Sequence, residues 1–371
     1  MNSFLSSRLK KEVILWIFFF TYEKANGEII ITGLKGDVTD SCIVIPEAID
    51  DMPVTQISKT AFWGKTIAGI KIGKNIKKVG LSAFTYCKNL KSVVWNAPCE
   101  IPYGCFAGCL RITDFDFKKT KAIGQIAFEE SGLQKIGLPA NVEKISDSAF
   151  KNCEQLEEVD WNCKCNEIPE HCFENCGMLE QFDFSKIKNI EKRAFQKSGL
   201  QKLYLSENIT YVSEYAFAEC KNLKKVVWGC KCDEIPAGCF RKCSELSQFE
   251  FSNLKKLGDD AFKYSGLTSV TLNKGVEVGK RCFAYCDKLK KVEWLSDHSI
   301  VDKVFENCRN LKEVIISDKV KNISHDAFRG CPNVEFTFVY VGLSIILDTI
   351  IKKFDRRKPF EGTHRTVVCS T

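Results

Sequence analysis

Thirteen phenylalanines recur at intervals of 21 to 23 residues, and this spacing constrains the fold more than any other feature of the chain. An aliphatic residue stands five positions before each one, from Ile57 before Phe62 to Ile323 before Phe328. The residue directly before each is Ala eight times, Cys four times and Val once. We call these thirteen positions the Phe ladder: Phe62, Phe84, Phe106, Phe128, Phe150, Phe173, Phe195, Phe217, Phe240, Phe262, Phe283, Phe305 and Phe328. Self-similarity at such a period is the signature of a solenoid.

The stretch from Cys153 to Trp161 shows the other half of one repeat. Its apolar residues Leu156, Val159 and Trp161 alternate with charged ones, in the L-x-x-L-x-L spacing of leucine-rich repeats. This pattern predicts a short parallel strand, also at Leu90 to Trp95, Leu179 to Phe184, Leu223 to Trp228, Leu246 to Phe251, Leu289 to Trp294 and Leu311 to Ile316. A repeat of about 22 residues has room for one more short strand and a helical turn at the Phe. We therefore predict a mostly β, right-handed leucine-rich-repeat solenoid of about 13 coils.

A second period overlies the first. Four tryptophans, Trp95, Trp161, Trp228 and Trp294, are 66, 67 and 66 residues apart. Each of the first three is followed by a coil with two Phe residues around one acidic residue, such as Phe115 to Phe117, and then by a coil that opens with Ser-Gly-Leu, as at Ser131. We call these the Trp coil, the Phe coil and the Ser-Gly-Leu coil. The chain therefore repeats in blocks of three coils, and the alternation predicts that the rings face a core.

The units CxxLxxVxW and IPxxCFxxC, with Ala-Phe or Cys-Phe at the turn, resemble the BspA-like leucine-rich repeats of bacterial and protist surface antigens. The resemblance extends over about residues 20 to 334 and includes the opening stretch from Asn26 to Gly33. It implies a cell-surface or secreted protein of the adhesin type that binds host or matrix proteins. It carries over no catalytic residue, and a fold alone does not identify a partner.

The two ends suggest the domain boundaries. We divide the chain into an N-terminal segment at 1–33, a solenoid at 34–334 and a C-terminal segment at 335–371. The apolar run 13–20 follows basic residues, so it predicts either a secretory signal or the first strand of a cap. The apolar run 336–351 is broken by one Asp and followed by basic residues, so it predicts either a cap with an amphipathic helix or a short membrane anchor.

Charge and motifs exclude several function classes. The net charge of +7 comes mostly from the ends, which sum to +6, so the repeats are nearly neutral and lack the basic stripe of a nucleic-acid groove. The four histidines, His171, His298, His325 and His364, do not recur in register with a Cys or Ser nucleophile. No phosphate-binding, zinc-protease or serine-hydrolase motif occurs. We expect a non-enzymatic protein without a cofactor.

The chain has 20 cysteines, of which thirteen occupy repeat positions that favour a small residue. Free Cys behaves as a small buried hydrophobe, which is the interpretation we favour. Disulfides between adjacent coils, such as Cys87 with Cys109, are one alternative. A second alternative is a zinc site, because C-x-C-x6-C-x3-C occurs twice, at Cys163, Cys165, Cys172 and Cys176 and at Cys230, Cys232, Cys239 and Cys243.

Outward-facing residues of the predicted strands form the candidate protein-binding face. They mix both signs of charge, which suits polar recognition of another protein but is equally typical of a solvated sheet. The candidate residues are Lys91, Asp114, Asp116, Glu157, Glu158, Glu180, Asp183, Lys202, Tyr204, Lys224, Lys225, Glu250, Lys290 and Lys291. We expect a monomer that binds a protein partner at the cell surface or after secretion. An intracellular scaffold remains the alternative, because abundant unpaired Cys suits a reducing compartment.

Overall fold

Short parallel strands, stacked coil on coil, make up the part of the chain that the structure describes, residues 19–36 and 38–339 of a computed structural model. These residues divide into two units, one ending at Asp183 and the other beginning at Phe184. Each unit is a β-solenoid with a repeat of about 22 residues. Within the described ranges the one helix is a single 3-10 turn, Phe117–Lys119. The predicted fold class is confirmed.

The first unit begins with an antiparallel hairpin and continues as parallel coils. Its strands are β1 Phe20–Ala25, β2 Glu28–Leu34, β3 Cys42–Val44, β4 Ala48–Ile49, β5 Met52–Ile57, β6 Gly69–Ile72, β7 Lys78–Val79, β8 Ser92–Trp95, β9 Ala122–Ile123, β10 Lys135–Leu138, β11 Lys144–Ile145, β12 Glu158–Trp161 and β13 Glu167–Ile168. Strands β3, β6 and β8 form one ladder, and β10 pairs with β12. The two-residue strands β9 and β11 pair separately and end in the aliphatic residue that precedes each ladder Phe.

The second unit repeats this arrangement. Its strands are β14 Asn189–Ile190, β15 Lys202–Leu205, β16 Tyr211–Val212, β17 Lys225–Trp228, β18 Glu234–Ile235, β19 Lys256–Leu257, β20 Ser269–Leu272, β21 Glu277–Val278, β22 Lys291–Trp294, β23 Glu313–Ser317 and β24 Glu335–Val339. Strand β15 pairs with β17, and β20, β22, β23 and β24 form a four-stranded parallel sheet. Strand β24 includes the start of the apolar run 336–351, with Phe336 and Phe338 buried.

The Phe ladder is confirmed as the core of each unit. All thirteen rings are at most 3% exposed. Successive rings stack with centroids 5.0 to 5.8 Å apart from Phe62 to Phe173 and 5.3 to 5.9 Å apart from Phe195 to Phe328. These separations lie in the range where aromatic pairs attract one another beyond their burial. At the first coil, Phe20 of β1 packs edge-on against Phe62 with a centroid distance of 6.4 Å.

The turn around each ladder Phe differs from the helical turn that the sequence predicts. In nearly every coil the residues two before and two after the Phe have positive φ, as at Ile126 (φ 51) and Glu130 (φ 56) around Phe128. Left-handed residues cannot continue a right-handed helix. The Phe N–H instead donates to the next coil, as from Phe128 to the carbonyl of Ala149 at 2.9 Å. The turn therefore joins neighbouring coils by backbone hydrogen bonds.

The Phe coils have no strand where the sequence predicts one. Residues 112–116, 179–184 and 246–251 are irregular, so the prediction of strands at Leu179 to Phe184 and Leu246 to Phe251 is wrong. In two of these coils the paired rings pack against each other, with centroids 4.7 Å apart for Phe115 and Phe117 and 4.9 Å apart for Phe249 and Phe251. Both rings of each pair also contact a ladder ring, Phe128 in the first case and Phe262 in the second. We attribute the missing strand pairing to these adjacent rings, because their bulk separates the backbone of the Phe coil from the backbones of the neighbouring coils. The sheet is interrupted at every Phe coil.

Candidate protein-binding face

The outward side of the four-residue strands carries the first group of predicted binding residues. We call this side the sheet face of each unit. In β12, Glu158 and Asp160 are exposed while Trp161 is buried, which follows the alternation expected of a strand with one face in the core. Five predicted residues lie on such strands, all exposed except the half-buried Lys291: Glu158, Lys202, Tyr204, Lys225 and Lys291.

A second group lies one residue before the strands of the Trp coils. It consists of the exposed residues Lys91, Glu157, Lys224 and Lys290. Their backbone N–H groups donate to the preceding coil, as from Glu157 to the carbonyl of Gln134 at 2.9 Å. The backbone of each is therefore fixed while its side chain remains in solvent.

The third group belongs to the Phe coils and lies on irregular backbone. It consists of Asp114, Asp116, Glu180, Asp183 and Glu250, all exposed. Asp116 caps the 3-10 turn by accepting a hydrogen bond from the N–H of Lys118 at 3.0 Å. Glu250 accepts from the N–H of Ser252 at the same distance. These two carboxylates therefore also stabilise the local backbone.

Grooves open where the Phe coils interrupt the sheet. Groove A has a volume of about 640 Å³ and is lined by Lys135, Glu157, Glu158, Val159, Met178, Glu180, Gln181, Phe182 and Asp183. Groove B, at the equivalent place one block later, measures about 510 Å³ and is lined by Lys224, Lys225, Val226, Ser247, Gln248, Phe249, Glu250 and Ser269. Nine of the fourteen predicted residues line these grooves or a third one of about 520 Å³ beside Asp114 and Asp116. The structure thus gathers much of the predicted face into concave sites.

Several charged residues of the face already have partners on the neighbouring strand. Lys135 and Glu158 form an ion pair at 2.8 Å, and the hydrogen bond to Glu158 raises the pKa of the Lys135 ammonium. Lys291 contacts Glu313 of β23 at 3.6 Å, and the ammonium of Lys225 lies 5.7 Å from the centre of the Tyr204 ring. Exposed pairs of this kind contribute about 0 to 1 kcal/mol each. Pairs this weak keep charged groups on the face without holding their side chains rigidly.

Apolar residues outside the predicted set also face solvent. Val94 and Val227 on the strands are each 42% exposed, and Met178 in groove A is 46% exposed. Phe182 and Phe249 are half-buried at the grooves, although the alternation predicts inward rings. The valines were detectable from sequence, because they occupy outward positions of the alternation. The exposure of Phe182 and Phe249 depends on the interrupted sheet, which the alternation does not encode.

The cysteine pattern is mainly structural. Nine cysteines lie three residues after a ladder Phe, and each is at most 3% exposed. Each of these thiols donates to the carbonyl of the previous ladder Phe, as from Cys87 to Phe62 at 3.0 Å. In the Ser-Gly-Leu coils the Ser takes the same position, with the Ser131 Oγ 3.3 Å from the Cys153 Sγ. The position thus requires a small donor, and none of the nineteen described cysteines is in a disulfide.

The two four-cysteine motifs do not converge on one point. Cys172 and Cys176 are fully buried among core residues, while the thiols of Cys163 and Cys165 are hydrogen-bonded to each other nearer the surface. Burial raises the pKa of the Cys172 thiol far above its ordinary value, which disfavours the thiolate that zinc needs. Within the described residues, no group of three or more His, Cys, Asp or Glu side chains is placed to hold a metal ion.

The three described histidines lie on turns and bends of the repeat. The Nδ1 atom of His171 lies 2.5 Å from a carboxylate oxygen of Glu174 on the same turn. His325 contacts Asp326 at 3.0 Å in an exposed position. The backbone carbonyl of His298 accepts a hydrogen bond from the Trp294 indole at 3.2 Å. These contacts are all local, and His364 lies outside the described residues.

The described residues include only part of the two predicted targeting segments. Strand β1 begins at Phe20, and the rest of the apolar run 13–20 lies outside the described residues apart from Phe19. In the same way, β24 describes the start of the run 336–351, and the amphipathic helix or anchor predicted after it lies outside. Over the residues that are described, no helix has the length and apolar character needed to cross a membrane.

Comparison with known families agrees with the repeat geometry. The pattern described as the BspA type leucine rich repeat region matches residues 42–122, 99–224 and 214–335 and contains six copies. The chain belongs to the BspA-type leucine-rich repeat family. Proteins built from such repeats generally take part in protein–protein interactions, so the family places this chain among interaction proteins. No curated protein matched the chain.

Solved structures share this BspA-type fold over nearly the whole chain. A leucine-rich repeat protein from Bacteroides ovatus is 20% identical, with a TM-score of 0.64 over 94% of this chain and 98% of the other. A leucine rich cell surface protein from Faecalibacterium prausnitzii is 19% identical, with a TM-score of 0.56 over 95% and 93%. The pneumococcal vaccine antigen PcpA is 15% identical, with a TM-score of 0.50 over 95% and 97%. At these identities the similarity establishes the fold.

Proposed function

We propose that this BspA-type protein acts at the cell surface, as an adhesin or surface antigen that binds host or matrix proteins through the sheet face. The observation that carries the proposal is that each unit has a groove with a charged rim on that face, with valine and phenylalanine in the floor and, in groove A, a methionine as well. Charged rims with apolar floors are typical of specific, non-obligate protein contacts. The names of two structural relatives, a cell surface protein and a vaccine antigen, support the surface location.

A cross-linking experiment tests whether the sheet face is the binding side. A photoreactive phenylalanine analogue replaces Tyr204 of β15 on the sheet face in one variant and Tyr211 of β16 in the other. The two tyrosines are matched, since they are 53% and 48% exposed. We expect the variant at 204 to cross-link to a discrete host or matrix protein and unlabelled wild-type chain to compete. Equal cross-linking from both positions, or from neither, would contradict the proposal.

The location is tested separately on intact cells that produce the protein. An antibody against the folded repeats should label unpermeabilised cells or the medium if the protein is at the surface or secreted. Labelling that needs permeabilisation would instead support the intracellular scaffold, which is favoured by one observation: none of the nineteen described cysteines forms a disulfide. Cytosolic thiols stay reduced, whereas exported proteins tend to form disulfides.

A further inference from the structure

Groove A combines an apolar floor with an acidic rim. Val159 and Phe182 are half-buried in it, and Met178 is 46% exposed. Glu157, Glu158, Glu180 and Asp183 surround them, against a single lysine, Lys135. The groove is open to solvent, since its carboxylate-bearing residues are exposed. It can therefore admit a side chain from outside without any rearrangement of the core.

The one lysine does not neutralise the rim. It pairs with Glu158 at 2.8 Å, and no described cation lies within ion-pair distance of Glu157 or Glu180. The formal charge of the lining residues is therefore −3, from four carboxylates and one ammonium. Negative potential in a groove with a low-dielectric floor attracts a cation more strongly than the same charges on a flat surface. The groove thus favours a cationic ligand.

The floor narrows the chemical class of that ligand. Lysine and arginine carry a long apolar stem beneath a charged group, and they bury the stem while the charge remains at a polar rim. A methionine thioether and a phenyl ring suit such a stem, because both are polarisable and can adapt to it. A metal ion fits poorly, because these carboxylates are not placed as a chelating group. Anionic ligands and nucleic acid are opposed by the sign of the charge.

Groove B provides the contrasting case within the same chain. Its floor corresponds in part to that of groove A, with Val226 and Phe249 in place of Val159 and Phe182. The position equivalent to Met178 is Glu245, which does not line groove B. Its rim differs, because Lys224 and Lys225 replace Glu157 and Glu158, and Ser247 replaces Glu180. The same frame thus carries opposite charge in successive blocks. Specificity between partners requires such repulsive elements as well as attractive ones.

We propose that groove A binds a lysine or arginine side chain from an extended basic segment of a partner protein, and that groove B excludes it. The carboxylates of Glu157, Glu158 and Glu180 hold the cationic group, and Met178 and Phe182 contact its aliphatic stem. This inference rests on the proposed function, since it specifies the partner chemistry for one part of the sheet face. It also predicts that binding weakens as salt screens the rim.

The test uses a fluorescein-labelled ten-residue peptide of alternating arginine and serine, with fluorescence anisotropy as the readout. The double substitution E157K/E158K gives groove A the lysines of groove B, so the fold should tolerate it. We expect this variant to bind the peptide at least tenfold more weakly than wild type, with an unchanged thermal unfolding curve. The control E154K/E170K changes net charge equally at exposed residues outside the groove and should alter binding by less than about threefold.

Groove B supplies a gain-of-function variant. The four substitutions K224E/K225E/E245M/S247E reproduce the acidic rim and add the methionine of groove A, and they should raise the stoichiometry from one peptide per chain to two. Equal weakening by E157K/E158K and E154K/E170K would indicate general charge attraction and overturn the proposal. A fourfold variant without a second site would also overturn it. If the peptide does not bind but cross-linking from position 204 persists, the proposal for groove A is wrong and the proposed function stands. If the peptide binds but cross-linking from position 204 is absent, the proposed function is wrong and the proposal for groove A stands.

Discussion

The buried thiols should make the stability of the solenoid fall at alkaline pH. Burial raises the pKa of Cys153 to about 12, from an ordinary value of 9.0. Between these values the unfolded chain loses the thiol proton while the folded chain keeps it. Since the unfolded state then binds fewer protons, stability decreases as pH rises. The contribution of Cys153 is complete below about pH 9 and is lost as the pH rises through the folded pKa near 12.

The substitution C153S isolates this effect. Serine occupies the equivalent position in the Ser-Gly-Leu coils, so it fits and still offers a donor to the Phe128 carbonyl that now accepts from Cys153 at 3.2 Å. At pH 10 about nine in ten unfolded thiols are ionised, against about one in a hundred folded ones, a difference on the order of 1 kcal/mol per thiol. The loss of stability from pH 7 to pH 10 should therefore be smaller in C153S than in wild type by that amount.

Urea unfolding followed by tryptophan fluorescence, in the presence of a reducing agent, measures this difference at both pH values. The alanine variant C153A serves as a second control, because it removes both the titration and the hydrogen bond. It should be less stable than C153S at pH 7 and show the same reduced pH dependence. If wild type and C153S lose equal stability between pH 7 and pH 10, the raised thiol pKa does not contribute and the reasoning is refuted.

Two further predictions concern packing. The ring of Phe262 stacks between Phe240 and Phe283 at 5.4 and 5.7 Å, so Phe262→Ala should lower the free energy of unfolding by about 3 to 5 kcal/mol in urea titration; an unchanged midpoint would show that the ring is not part of the core. Gly132→Ala would place a Cβ 2.1 Å from the carbonyl oxygen of Leu110, whereas Gly137→Ala meets no atom within 4 Å. Only the first should lower the melting temperature, and equal effects would contradict the tight contact at the Ser-Gly-Leu turn.

The core of this fold could be predicted because its signal is periodic. A Phe every 21 to 23 residues with an aliphatic five positions earlier fixes which side chains meet in adjacent coils, and the stacked rings confirm it. The interrupted sheet could not be predicted in this way. Phe115 and Phe117 satisfy the alternation of a strand, and only their mutual contact and that with Phe128 explain the irregular backbone.

The turn conformation around each ladder Phe and the grooves could not be predicted from the sequence, for related reasons. Positive φ at a β-branched residue such as Ile126 opposes its local preference, so the neighbouring coils must impose it through their hydrogen bonds. The charged residues of the face were predictable as outward positions. Their grouping into groove A was not, because it combines Glu157, which directly precedes β12, with the irregular backbone that carries Glu180.

The block of three coils has a consequence for how such a protein can diversify. Because the valine and phenylalanine in the floor of each groove occupy fixed positions of the repeat, copying a whole block yields a second recess of similar form. The rim residues of the copied groove are exposed and contribute little to folding. They can therefore mutate independently of the rim residues in the original block. Grooves A and B, with glutamates in one and lysines in the other, have the form expected of such a pair. Lengthening the chain by one block would therefore add a new specificity while the earlier one is retained.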